Sequence, residues 1–174
     1  MTQDAVRWML MAVVLPLWIA LGLADWACHR RTAIERSGGV AENIFHWVMF
    51  AQMGVAVLAV AWLEVNAAVL LVVAGAFLAH EATTYAELRY AVPRRVVGPF
   101  EQMVHSFMEI LPLVMLALLA VAAWEPLAAA AAGAPLDLGL RLKERPWPAG
   151  YLLGLGLAVL AFNVLPLAEE GWRC

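Results

Sequence analysis

The stretch E-Q-M-V-H-S-F-M, Glu101 to Met108, places a carboxylate, an imidazole and a thioether at successive offsets of four and three residues. In a helix such positions share one face. A second stretch, E-N-I-F-H-W-V-M from Glu42 to Met49, carries the same three residue types at the same offsets. Each opens a long apolar run, where ionisable groups are costly and mark functional sites. Two matching Glu-x-x-x-His helices predict a metal site assembled from an internal repeat.

The chain around these stretches is 64% hydrophobic and 14% charged, with a mean hydropathy of +0.80. Such a composition excludes a water-soluble globule. The expected fold is an all-α integral membrane protein forming one transmembrane domain over residues 1–174. A net charge of -3 without a basic tract gives no footprint for nucleic acid. Cys28 and Cys174 are too far apart in sequence to form a Cys-x-x-Cys pair, and two cysteines make no disulfide framework. The first apolar run has no small-residue cleavage site and continues into Asp25 and His29, so it reads as a retained helix, not a signal peptide.

A spanning helix needs about 20 mainly apolar residues. Five stretches meet this, at about 6–28, 42–63, 67–89, 101–123 and 149–168. Leu23-Ala24-Asp25 aligns with Leu78-Ala79-His80, and Glu42/His46/Met49 with Glu101/His105/Met108. The first four spans are therefore expected to form a four-helix bundle from two repeated hairpins, about 6–63 and 67–123. The fifth helix falls outside the repeat and is expected to be peripheral. The Ala-rich start of the 125–148 link reads equally as an interfacial helix or as an extension of the fourth span.

Alternating spans put Arg30, Arg31, Arg36, Arg89, Arg94, Arg95 and Arg173 on one face, and Arg7, Arg141, Lys143 and Arg145 on the other. The excess of basic residues makes the first face cytoplasmic. The expected location is a bacterial-type inner (plasma) membrane with the N-terminus outside. The arginines on the cytoplasmic face also suit anionic headgroups, although topology alone accounts for them.

Depth gathers the chemistry. Asp25 and His29 lie in the last turns of the first span, and Glu42 and His46 in the first turns of the second. His80, Thr84 and Glu87 share a face late in the third span, while Glu101, His105 and Glu109 share one early in the fourth. All four histidines thus converge on the cytoplasmic half. The candidate metal ligands are Asp25, His29, Glu42, His46, His80, Glu87, Glu101 and His105. Glu35 is placed to fold back over them through Ser37-Gly38-Gly39, and Glu109 to act behind them as a partner or proton relay. Glu81 points away from His80, and Met49 and Met108 read as packing.

Imidazole and carboxylate without thiolate suit iron, manganese or zinc and disfavour an iron–sulfur cluster. Four-helix bundles hold two irons or manganeses with Glu and Glu-x-x-His residues, and the spacing here is one residue longer. The expected cofactor is two divalent metal ions, iron foremost. The expected function is an oxygen-dependent oxidoreductase acting on a hydrophobic or lipid-like substrate from membrane lipid, with an electron donor or other protein partner. The alternatives are a b-type haem electron carrier, a zinc-dependent membrane hydrolase, and a non-enzymatic transporter or assembly subunit.

Overall fold

The computed structural model describes residues 3–174. Among these, five helices are long and apolar enough to cross a membrane: α1 Gln3–Thr32, α2 Gly39–Trp62, α3 Ala67–Ala91, α4 Pro99–Ala122 and α6 Ala149–Arg173. A short α5, Trp124–Ala131, follows α4 directly, so the Ala-rich start of the link is a separate helix. The five long helices coincide with the five stretches read from hydropathy. However, α1 begins and ends beyond the expected span, and α6 runs on to Arg173 instead of stopping near 168. Leu58, Leu71, Leu78 and Leu153 are each more than half exposed. Large apolar residues turned outward along every helix are what a bilayer solvates and water does not.

Local chemistry sets the helix ends. Asn66 caps α3 by accepting the Val69 N–H at 3.1 Å, which satisfies one of the free N–H groups of the first turn. Gly98 precedes α4 and Pro99 occupies its first position, where the missing N–H costs nothing. α1 stops at Ala33, whose φ of 52° and ψ of 58° are left-handed. A 3-10 turn, Ile34–Arg36, then leads to Gly39, also left-handed, at the start of α2.

Two helices share a further irregularity. Leu10–Val14 in α1 and Leu160–Val164 in α6 are π-helical, and each is followed by Leu-Pro-Leu. Proline has no N–H and its ring crowds the carbonyl one turn back. Widening the preceding turn relieves that crowding, and the N–H groups of Leu15 and Leu165 bond Leu10 and Leu160 instead.

The packing order departs from the expected pair of hairpins. α2 and α3, joined by the tight 63–66 turn, pack along most of their length; α3 meets α4, and α4 meets α1. α1 and α2 are not among the closely packed pairs, and the C-terminal half of α6 lies against both. The fifth span is therefore peripheral only in its first half, which is largely exposed; its second half closes the gap between the first and second spans. The physical reason is polar. α6 carries Asn163, which donates to the Ile19 carbonyl at 3.2 Å, and Glu169 and Glu170, which find partners on α1 and α2.

At the end away from these groups, rows four residues apart make the core: Val6, Leu10 and Val14 of α1 meet Leu111, Met115 and Leu119 of α4, with Met53, Val60, Val69 and Val73. There the 132–148 link is pinned to the 63–66 turn by Glu64 N–H to the Arg141 carbonyl and Lys143 N–H to the Trp62 carbonyl, both 2.9 Å.

Because Ala33 holds a left-handed conformation that costs a non-glycine residue about 1–2 kcal/mol, Ala33→Gly should raise the midpoint of thermal unfolding in detergent. Ala33→Val should lower it. Equal midpoints for all three proteins would show that the turn carries no such strain.

Candidate functional site

Four carboxylates, three imidazoles and one guanidinium meet at the end of the bundle bearing the 33–38 and 92–98 connections. His29, Glu42 and Glu170 are 1%, 0% and 1% exposed. The α1 register brings Asp25 and His29 onto one face, one turn apart. α2 supplies Glu42 and His46 in the same way, and α4 supplies Glu101 and His105.

Glu170 of α6 stands at the centre. Its Oε2 lies 2.9 Å from His29 Nδ1 and its Oε1 lies 2.9 Å from His46 Nδ1. Asn43 donates to the same Oε1 at 3.0 Å and to the Leu167 carbonyl at 3.0 Å, which fixes the carboxylate from behind. The two imidazoles it joins are stacked, 4.6 Å between centroids and 11° between planes. An ionised carboxylate only accepts hydrogen bonds, so both Nδ1 atoms carry the proton in these contacts. The Nε2 atom of His29 then makes its contacts on the other side, including Arg95 Nη2 at 3.4 Å.

His29 Nε2 faces Asp25 Oδ1 at 3.4 Å and Glu101 Oε1 at 3.3 Å, and His105 Nε2 lies 2.8 Å from the same Asp25 oxygen. Asp25, His29, Glu101 and His105 offer ligand-type atoms all within 4.8 Å of one another; so do His29, Glu42 and His46. Six of the eight candidate ligands read from the sequence thus fall into two groups that share His29. His80 and Glu87 fall in neither. Both are buried, and both line the cavity described below.

Arg95, in the turn between α3 and α4, is the cluster's one guanidinium. Its Nε donates to Glu42 Oε1 at 2.8 Å and its Nη1 to Glu101 Oε1 at 2.6 Å. Burial pulls its pKa down, but the hydrogen bonds and charges of the two glutamates outweigh this and raise it above the ordinary value. Glu42 and Glu101, matched in the sequence repeat, therefore share one cation. His46 and His105, matched in the same way, do not share a partner: one meets Glu170 and the other Asp25. Each glutamate uses one oxygen on Arg95, and Glu42 Oε2 is buried without a hydrogen bond. Asp25, Glu42, Glu101 and Glu170 against Arg95 leave three negative charges uncompensated when all are ionised. In a low-dielectric setting such charge needs protons or cations.

The rim is tied down by further pairs. Glu35 does fold back, but onto Arg173, with which it forms an ion pair. Glu169 accepts from Trp26 at 2.9 Å, Arg30 at 2.8 Å and Arg173 at 3.0 Å. Tyr90 donates to the Gly38 carbonyl at 3.0 Å, joining α3 to the 33–38 turn. A Cβ on Gly38 would sit 2.6 Å from Glu42 Cδ and 2.8 Å from its Cβ, so only glycine leaves Glu42 its place.

The sequence reading missed Glu170, Asn43 and Arg95. Ending the fifth span near 168 left Glu169-Glu170 outside it, although two carboxylates completing an apolar helix were a visible signal. Arg95 stands in the sequence beside the site mouth, but as one of several basic residues that topology already explains.

Beside the cluster lies a cavity of about 610 Å³ between α1, α2 and α6, bounded at the cluster end by α3 and α4 and reaching Trp62 and Leu152 near the opposite end. It occupies the gap left where the first half of α6 stands away from α2.

Arg95→Ala would leave Glu42 and Glu101 buried without their cation, which costs about 3–5 kcal/mol; Glu42→Gln in that background should recover part of the loss. Gly38→Ala should also destabilise, by displacing Glu42. Thermal unfolding in detergent measures all three, and an unchanged midpoint for Arg95→Ala would mean that water reaches the pair. No family model, curated protein or solved structure matches this chain.

Proposed function

We propose that this protein is a membrane-embedded di-metal oxidoreductase, with iron as the metal, that uses dioxygen to oxidise a hydrophobic or lipid-like substrate. The observation that carries the reading is the convergence of His29 Nε2, Asp25, Glu101 and His105 within ligand distance of one another, with Glu170 holding the Nδ1 side of His29. Asp25, His29, Glu101 and His105 would hold one ion, and Glu42 and His46 the other beside it. The donor set fits: it is imidazole and carboxylate without thiolate, it carries excess negative charge, and Glu42 Oε2 is an orphaned buried oxygen. Bound there, iron would supply electron exchange with dioxygen, while an external reductant supplies the balancing electrons.

The chain's own residues do the rest. Glu170 keeps two imidazoles in the coordinating tautomer, and Arg95 holds two carboxylates apart while offsetting part of their charge. The apolar walls of the cavity exclude water and admit a substrate from the bilayer. A haem carrier fits less well. Axial imidazoles approach one iron from opposite faces of a porphyrin, whereas His29 and His46 stack face to face at 4.6 Å with no slot between them. On the basic-residue asymmetry we place the site toward the cytoplasm of a bacterial-type plasma membrane.

Metal analysis and an absorption spectrum of purified protein test the cofactor. We expect two irons per chain and no Soret band; a single zinc would favour a hydrolase. His46→Ala and His105→Ala should each lower metal content strongly, and the double variant should lose little more, since groups sharing one site are not additive. The reduced, iron-loaded protein should consume oxygen faster when an apolar substrate is added. Reduced protein that keeps its iron and never reacts with oxygen would end the oxidative reading. For orientation, Cys174 should react with a membrane-impermeant thiol reagent only from the cytoplasmic side; labelling only from outside would invert it.

A further inference from the structure

The cavity between α1, α2 and α6 has a shape and a polarity that the cluster alone does not explain. Along α2 its lining runs from His46 to Trp62, roughly 24 Å at 1.5 Å per residue, and along α6 from Leu152 to Glu170, roughly 27 Å. That is nearly the thickness of a bilayer's hydrocarbon core, about 30 Å. Its volume of about 610 Å³ lies in the range of small-molecule sites. Ionisable groups line one end only: Asp25, Glu87, Glu109 and Glu170 with the histidines. The remainder is apolar apart from the Asn163 amide, and it runs on to Trp62. Three wall positions are glycines: Gly22 on α1, where a Cβ would meet the Asn163 amide, and Gly54 on α2 and Gly156 on α6, where a Cβ meets nothing within 4 Å. The wall there is thinned to open space.

His80 supplies the second, independent observation. It lines the cavity, is 6% exposed, and its Nδ1 is buried with no hydrogen-bond partner. With the ring proton on Nε2, Nδ1 presents a lone pair. A buried acceptor without a donor costs about 1–3 kcal/mol, and a ligand carrying an O–H would satisfy it. An anionic head would meet Asp25, Glu87, Glu109 and Glu170, while Arg95, the cluster's guanidinium, does not line this space. An ammonium would be drawn to those same carboxylates and away from His80, which belongs to neither ligand group. A hydroxyl meets neither objection.

We propose that this cavity binds a single-chain lipid with an uncharged hydroxyl terminus, the hydroxyl donating to His80 Nδ1 at the polar end and the chain extending past Gly54 and Gly156 toward Trp62. His80 is thereby a substrate-binding residue and not a metal ligand. The inference deepens the oxidative reading by naming its substrate class, and it is tested apart from it, by binding to metal-free protein.

The probe is a long-chain primary alcohol carrying bromine at its far end, titrated into the protein in phospholipid nanodiscs, with its methyl ether as the control that lacks the donor. Bromine quenches tryptophan, and Trp18, Trp26 and Trp62 line the cavity. Partition into bulk lipid quenches in proportion to dose, whereas a site saturates. We expect a saturable component for the alcohol. The ether should half-saturate it at about fivefold higher concentration, the worth of one hydrogen bond. His80→Phe should weaken the alcohol by a similar factor and leave the ether unchanged. Gly54→Leu and Gly156→Leu, on different helices, should each remove the saturable component in protein of unchanged circular dichroism. No saturable component in the wild type would overturn the proposal, as would equal binding of alcohol and ether. Saturation that survives both leucine variants would also overturn it. Binding as expected in protein that takes up no metal would leave this inference standing and remove the oxidative reading.

Discussion

The hydrogen bonds from His29 and His46 to the two oxygens of Glu170 join α1 and α2, which do not pack closely on each other, through α6. α1 and α2 do not pack closely at this end, and the carboxylate that links their imidazoles comes from α6. Its own position depends on Asn43 and on the ion pairs of Glu169, Arg30, Arg173 and Glu35 around it. A carboxylate 1% exposed among apolar helices needs donors on both oxygens. That requirement draws the end of α6 inward although its first half has few neighbours.

The same requirement accounts for the empty space. α6 is docked by polar groups from Asn163 onward, while its first half is tied to α1 through Tyr151, whose hydroxyl donates to the Met11 carbonyl at 2.8 Å, and offers α2 only Leu, Gly and Ala. The π-helical turn at Leu160–Val164 separates the two halves, and Pro166 is its cause. A helix held to α1 at both ends but to α2 only at its C-terminal end leaves a cleft against α2, wide where Gly54 and Gly156 face open space. The cleft and the ionisable cluster are therefore two consequences of one docking mode.

Charge balance sets the remaining terms. Arg95 compensates one of four carboxylates, and it does so from a loop, outside the apolar spans. Placing the guanidinium in the 92–98 turn lets its charge reach Glu42 and Glu101 without a basic residue inside a membrane helix, where its cost is highest. The remaining negative charge is met by protons on the imidazoles that contact Asp25, Glu101 and Glu170, or by a bound cation.

Several features of this protein follow from its sequence alone, because they rest on local properties. Five apolar runs of spanning length become five long helices, since a backbone in hydrocarbon must bond within its own segment. The Glu-x-x-x-His spacing of Glu42/His46 and Glu101/His105 sets each pair on one helical face, and alternation of spans brings them, with Asp25 and His29, to one end. What the tertiary structure decided is everything that depends on which helices are neighbours. Repeat symmetry made Asp25 and His80 equivalent, yet Asp25 bonds His105 while His80 lines the cavity without a partner for Nδ1. Hydropathy made the fifth helix an appendage, yet Glu170 lies between two histidines more than 120 residues away in the chain. Periodicity and hydropathy report the faces of single helices; contacts across such separations are set by where buried charges find their partners.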